Sequence, residues 1–298
     1  MKLYLITGFL GSGKTTFLKN FVHQFDGQKL WLIINDFGKI GVDAELLQKV
    51  NAVKAEISNG SIFCACRMDK FEEALQQAVT DQPDVILVEA SGLADPTGVE
   101  KVLRQPEFSR ITYSGSVCLV DVPNLERVIH TARVLPKQIA VSSLVLLNKC
   151  DLAASEQLQG ARQTVLQFNP EANVETTRFG EFHANWMQHI YSMVSGDSDH
   201  KPDIQLQKQA VFIREPMTVH QLQSALKMLA EESWRIKGFV FLEGKHYIVN
   251  CVGTSVDLTE TTLTSTDENH LVLLAGPGMA LRQSIKETIK WYPQLIKE

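Results

Sequence analysis

Short β-branched and aliphatic runs alternate along the first two thirds of the chain with stretches in which apolar residues recur every three or four positions. The runs "LYLIT", "LWLII", "DVILVEA", "SVCLVDV", "SLVLLNK" and "NVETT" are mostly continuous, as in strands buried on both faces of a parallel sheet. Between them, "TTFLKNFVHQF", "DAELLQKV", "MDKFEEALQQAVT" and "EQLQGARQTVLQF" each carry one apolar stripe at helical spacing. Strands and helices in turn predict βαβ units, and with them an α/β domain built on a mostly parallel sheet.

The rhythm breaks after Tyr191 at "SGDSDHKPD", which has the composition of a linker. The expected organisation is a first domain over residues 1–195, a linker over 196–208 and a second domain over 209–298. In the second, "QAVFIR", "IKGFVFLE", "HYIVNCV" and "HLVLLAG" read as strands. Thr218 and Gln221 form the capping box of one helix, and another starts near Met279. A smaller α+β domain follows, one sheet with two helices on a face. The Thr-rich "TETTLTST" reads as a polar strand edge or an exposed loop.

A formal charge of −5 over 298 residues supplies no broad cationic face, so nucleic acid is not expected as a partner. No apolar run approaches the roughly 20 residues that span a bilayer, and no membrane partner is expected. The start "MKLYLITGFLG" imitates an export leader but has no small-residue cleavage site and meets Lys14 at once. Five cysteines at irregular spacing are not a disulfide framework. Together these features predict a reduced, cytoplasmic chain.

The first strand runs into "GFLGSGKTT" and a helix follows, which is the G-x-x-x-x-G-K-[ST] pattern in the setting it requires. In this P-loop reading Gly8, Gly11 and Gly13 let the backbone curl, with Ser12, so that its amides face a polyphosphate at a helix N-terminus. Lys14 reaches the β- and γ-phosphates, the Thr15 hydroxyl ligates Mg²⁺, and Thr16 ends the nucleotide-binding run. A second strand, "DVILVEASGLADP", ends in Glu89, a carboxylate placed to hold Mg²⁺ or its water, and Gly92 can offer its N–H to the γ-phosphate. Between these elements "IINDFGKIGVDAELL" supplies Asp36 as a further metal-side carboxylate, with Asp43 as the N-cap of the next helix.

The fourth element is "LLNKCDL", in which Asn148, Lys149 and Asp151 follow another buried strand. In an N-K-x-D arrangement the aspartate accepts hydrogen bonds from guanine N1–H and the N2 amine. Adenine leaves that charge unpaired, so the discrimination is steep.

With these residues in hand the chain resembles the CobW-type GTPases, relatives of the nickel-insertion GTPases of hydrogenase and urease maturation. The resemblance rests on "TGFLGSGKTT", "NDFG" with "GVDAELL", "EISNG", "VEASGLADP", "QIA" with "LLNKCDL", and in the second domain "WRIKGFVFLE" and "LVLLAGPGM". It implies a P-loop GTPase domain followed by a CobW-type C-terminal domain, and delivery of a transition metal such as Zn²⁺ or Co²⁺ to a client metalloprotein. The family pattern places C-x-C-C after "NG"; here those positions read Ser61, Ile62, Phe63 and Cys64, with Cys66 two residues on.

Residues i and i+2 of a strand stand about 7 Å apart, whereas two thiolates on one Zn²⁺ need about 3.8 Å. A metal shared by Cys64 and Cys66 therefore requires a turn at Ala65, with Glu56 as a third ligand. Packing in an apolar patch beside Phe63 and a redox pair are the competing readings. Cys118 and Cys251 lie in strand-like runs and read as core, and Cys150 fills the free position of N-K-x-D.

The sequence thus points to a Mg²⁺-dependent GTPase with slow intrinsic turnover, serving as a metallochaperone or metal-insertion switch. GTP and GDP, a client metalloprotein and a nucleotide-dependent second copy of the chain are its expected partners. A GTP-regulated binding module without metal cargo and a P-loop kinase of a small molecule are the alternatives.

Overall fold

The computed structural model describes residues 1–34, 52–56, 68–193, 207–214, 216–262, 268–276 and 278–297. Asp36, Asp43, Cys64 and Cys66 lie outside the described residues. The chain divides into two compact units, Met1–Asp203 and Ile204–Glu298.

The strands of the first unit are β1 Lys2–Thr7, β2 Leu30–Ile34, β3 Ala52–Glu56, β4 Val85–Glu89, β5 Thr112–Asp121, β6 Leu144–Asn148 and β7 Asn173–Thr176. They form one sheet in the order β3-β2-β4-β1-β5-β6-β7, and every pairing is parallel. The described helices are α1 Lys14–Phe21, α2 Met68–Asp81, α3 Val99–Leu103, α4 Val122–Ile129, α5 Val134–Ala140 and α6 Ser155–Phe168.

Alternate residues of β1, β2 and β4 feed two separate cores, which is why these strand sequences are apolar without a break. Leu3, Leu5, Ile33, Ile86 and Val88 pack with Phe71, Leu75 and Ala78 of α2 on one face. Tyr4, Ile6, Leu32, Leu87, Leu119 and Leu146 pack with Phe17, Leu18 and Phe21 of α1 on the other. The rings of Phe17 and Phe21 stack at 5.1 Å, and Phe182 meets Phe21 edge-on at 4.8 Å, so α1 is seated by aromatic contacts.

The expected strands are all present. β3 is an addition: "AVKAE" is half polar because, at the sheet edge, it pairs with β2 alone. Helices α3, α4 and α5 are also additions: α3 spans only 5 residues, and Pro123 and Pro136 in the first turns of α4 and α5 read as breaks.

The second unit holds β8 Gln207–Ile213, α7 Val219–Glu231, β9 Arg235–Leu242, β10 Lys245–Val252, β11 Leu258–Thr261, β12 His270–Ala275, α8 Leu281–Trp291 and β13 Leu295–Lys297. Its sheet is antiparallel, in the order β11-β10-β9-β12-β8-β13. Leu222, Leu226 and Leu229 of α7 and Leu281 and Ile285 of α8 cover Val211, Ile236, Val249, Cys251 and Leu271 in one core. The Thr218 capping box forms as expected, with Thr218 N–H donating to Gln221 Oε1 at 2.9 Å and Gln221 N–H to Thr218 Oγ1 at 3.2 Å. Part of the Thr-rich run is the edge strand β11. β8 starts at Gln207, so positions 207 and 208, expected in the linker, are strand, held by pairing with Ala275 and Leu274.

Candidate nucleotide site

Parallel strands deliver their C-terminal ends to one edge of the sheet, and the candidate residues collect there. Glu89 lies in register with Ile6 of β1 and Ile34 of β2, Ile34 with Glu56 of β3, and Asp121 with Asn148. In a doubly wound sheet this edge, outside the carboxyl ends of the strands, is where ligands bind.

The loop after β1 is shaped by its glycines. Gly8 has φ of 133°, and a Cβ there would lie 2.3 Å from the Leu119 carbonyl oxygen, so only glycine fits. Gly11 and Gly13 also have positive φ, 75° and 96°. Gly13 immediately precedes α1 and leads the chain into it. Lys14 is buried and donates from Nζ to the carbonyls of Gly8 at 2.9 Å and Phe9 at 3.0 Å, inside the curl of the loop. The Ser12 hydroxyl is buried without a hydrogen-bond partner, and Thr16 is exposed on the first turn of α1. A buried hydroxyl with no partner is costly in a closed loop and suits one that a polar ligand completes.

Thr15 Oγ1 donates to Glu89 Oε1 at 2.8 Å. The sequence places these two residues separately at a helix start and a strand end; the fold brings them into contact. Two hard oxygen ligands side by side fit Mg²⁺.

Beyond Glu89 the chain passes close under the phosphate loop, since a Cβ on Gly92 would lie 2.5 Å from the Leu10 nitrogen. Asp95 then accepts from Lys137 Nζ at 2.8 Å and from the Thr97 hydroxyl at 2.6 Å. Burial pushes the Asp95 carboxyl up, but these donors together outweigh it and hold the carboxyl below the usual carboxylate range.

The loop after β6 is bonded to the phosphate loop. Asn148 Nδ2 donates to the Ser12 carbonyl at 2.8 Å, and Asn148 Oδ1 accepts from Gly180 N–H at 3.2 Å. Asn148 therefore joins three loops rather than meeting a ligand through a free amide. Lys149 has left-handed backbone, φ 60°, and its Nζ donates to Asp121 Oδ2 at 2.6 Å. Asp151 lies in the following 3₁₀ turn, Cys150–Leu152, with its side chain exposed.

Asp121 is a partner that the motif reading does not include. Its signal is the one that exposes Glu89, a carboxylate closing a buried strand. Glu56 ends β3 on the same sheet edge. Cys118 and Cys251 are buried core residues, and burial pushes both thiols up to about 12. Among the described residues, no three His, Cys, Asp or Glu side chains cluster to hold a metal, and no helix is long and apolar enough to cross a membrane.

A parallel sheet with a glycine loop and helix at its centre, and an Asn-Lys-x-Asp loop tied to it, defines a P-loop nucleotide-binding protein. Residues 2–176 match the family described as CobW/HypB/UreG, nucleotide-binding domain, and residues 180–290 match the cobalamin synthesis protein cobW C-terminal domain. The chain belongs to this family.

Among curated relatives, the zinc chaperone YjiA of Escherichia coli (strain K12) is 26% identical over 266 residues, 81% of this chain and 82% of that protein. The zinc chaperone CobW of a Sinorhizobium species is 31% identical over 192 residues, 54% of each chain, so the match spans about half of that relative. The crystal structure of Zn(II)-bound YjiA GTPase from E. coli has the same fold over 98% of both chains, with a TM-score of 0.51 at 18% identity.

Proposed function

We propose that this chain is a cytoplasmic Mg²⁺-dependent GTPase that acts as a switch in delivering a transition metal to a client metalloprotein. The observation that carries the nucleotide reading is the Asn148–Ser12 hydrogen bond of 2.8 Å. It fastens the loop that would read guanine to the loop that would hold phosphate, so base and phosphates are recognised by one rigid unit. Asp151 supplies the carboxylate for the guanine N1–H and N2 amine, and the amides of Gly8 to Thr16 surround the phosphates. Thr15 and Glu89, with Asp36, would hold Mg²⁺, which when bound neutralises charge on the phosphates. Lys14 and the loop amides stabilise the charge that develops on the transferred group, and Gly92 N–H meets the γ-phosphate. The sequence motifs name no arginine finger or water-positioning glutamine, and slow turnover that a second copy or a client accelerates is the expected behaviour.

The metal reading rests on Cys64 and Cys66, with Glu56 as third ligand, and on relatives described as zinc chaperones. An incomplete thiolate site between two nucleotide-sensing segments suits exchangeable cargo. The deciding experiment is an anaerobic competition titration of Zn²⁺ and Co²⁺ against a chromophoric chelator. It compares the reduced protein with a Cys64→Ser, Cys66→Ser double variant, each with Mg²⁺ and GDP or a non-hydrolysable GTP analogue, alongside single-turnover GTP hydrolysis. Tight binding that needs both thiols and changes with nucleotide supports a GTP-gated carrier. Equal weak binding in every sample removes the cargo role, and absence of hydrolysis removes the GTPase.

A further inference from the structure

The tripeptide "QIA" at residues 138–140 lies outside the glycine loop and the Asn-Lys-x-Asp loop, yet Gln138 is fully buried on α5. Its Nε2 donates twice into the loop after β4, to the Gly92 carbonyl at 3.3 Å and to the Ala94 carbonyl at 3.1 Å. Its Oε1 is buried with no hydrogen-bond partner. A buried acceptor left unsatisfied is a cost that an apolar side chain of the same size avoids, so what the position requires is the pair of donors.

Both ends of this contact are fixed. On the helix side, Ser142 Oγ donates to the Gln138 carbonyl at 2.8 Å, and the single hydroxyl proton of Ser116 on β5 faces the Val141 carbonyl at 2.7 Å and Ser142 Oγ at 3.0 Å. On the loop side, Gly92 is pressed against the Leu10 backbone. One residue before Gln138, Lys137 holds Asp95 at 2.8 Å, so two successive residues of α5 grip the loop at positions 92, 94 and 95.

We infer that Gln138, seconded by the Lys137–Asp95 pair, is a positioning residue that holds the Gly92 loop against the phosphate loop where a γ-phosphate would be sensed. This rests on the reading of Gly92 under the proposed function. A diphosphate lacks the γ-phosphate that Gly92 N–H would meet, so loss of the grip should separate the two nucleotides. A merely structural role would weaken both alike.

The test compares the wild-type protein with Gln138→Met, Lys137→Met and Lys137→Arg, measuring melting temperature, single-turnover GTP hydrolysis and Mg²⁺-dependent affinity for GDP and a non-hydrolysable GTP analogue. In Gln138→Met, GDP affinity stays within about two-fold, while analogue affinity and hydrolysis each fall about ten-fold, the scale of losing paired hydrogen bonds. Lys137→Met shows the same split at about three-fold, and Lys137→Arg restores it. GDP and analogue weakening together in a folded variant, or neither changing, overturns the inference. Should Gln138→Met fail to fold, the Lys137 variants decide by the same split. A wild-type protein that neither hydrolyses GTP nor distinguishes the two nucleotides overturns the functional reading itself, and the inference falls with it. A wild type that does both beside variants that still distinguish them equally sinks the positioning role alone.

Discussion

The hydroxyl of Thr15 and the carboxylate of Glu89 meet at 2.8 Å across 74 positions of sequence. The contact brings the start of α1 to the end of β4 and makes one oxygen-rich corner beside the phosphate loop. Thr15→Val keeps the side-chain shape and removes the hydroxyl. Hydrogen bonds to charged groups contribute about 1.5–3 kcal/mol, so Mg²⁺-dependent affinity for GDP should fall at least about ten-fold. Affinity measured without Mg²⁺ should change much less. Titration calorimetry of both proteins with and without the ion checks this, and an equal loss under the two conditions would separate Thr15 from the metal.

Gly8 is the residue on which the loop's shape depends most directly. Gly8→Ala must accommodate a methyl group 2.3 Å from the Leu119 carbonyl oxygen at φ 133°. A strained backbone position of this kind costs about 1–3 kcal/mol, and the clash adds to it. The expected outcome is a lower melting temperature together with loss of nucleotide binding. A variant that melts and binds like the wild type would show that the loop opens freely.

How much of this is legible in the sequence depends on whether a feature is local. β1, β4 and β6 are buried on both faces and therefore read directly as apolar runs, and the capping box of Thr218 is spelled out by two residues three apart. β3 hides because an edge strand needs only half its side chains to be apolar. α4 and α5 hide because they are short and carry Pro123 and Pro136 in their first turns, where proline is tolerated but reads as a break. In the site, the glycine loop and the Asn-Lys-x-Asp loop are contiguous and therefore visible. The pairs that assemble them, Asp121 with Lys149 and Gln138 with the Gly92 loop, join separate elements and have no fixed spacing to betray them.

The Lys137–Asp95 pair should leave a signature in acid. The Asp95 carboxyl is held below its ordinary value of about 3.9, so the stability it contributes is fully present above that value. It is lost as the pH falls through the lowered value. Lys137→Met should therefore cost about 1 kcal/mol from pH 5 to pH 8, with the deficit shrinking below about pH 4. Denaturant melts of the two proteins across that range measure it, and a deficit that persists unchanged into acid would assign Lys137 a packing role.

Asp151 carries the prediction that separates a guanine site from any other phosphate-loop site. The residue sits in an exposed turn on a loop whose neighbours are immobilised, Asn148 by Ser12 and Gly180, Lys149 by Asp121. A carboxylate so presented can accept from both guanine N1–H and the N2 amine. Asp151→Asn replaces one acceptor oxygen with a donor, which opposes guanine's donors and complements the carbonyl that xanthine bears at C2. Because a site built around such hydrogen bonds rejects a mismatched ligand steeply, GDP affinity should fall at least about a hundred-fold, and the xanthosine diphosphate should gain. The fold should be untouched, since the side chain is exposed, and an unchanged melting temperature serves as the control. Unaltered GDP affinity, or equal losses for both nucleotides, would mean that the base is read elsewhere or not at all, and the small-molecule kinase would then become the better account of the same phosphate loop.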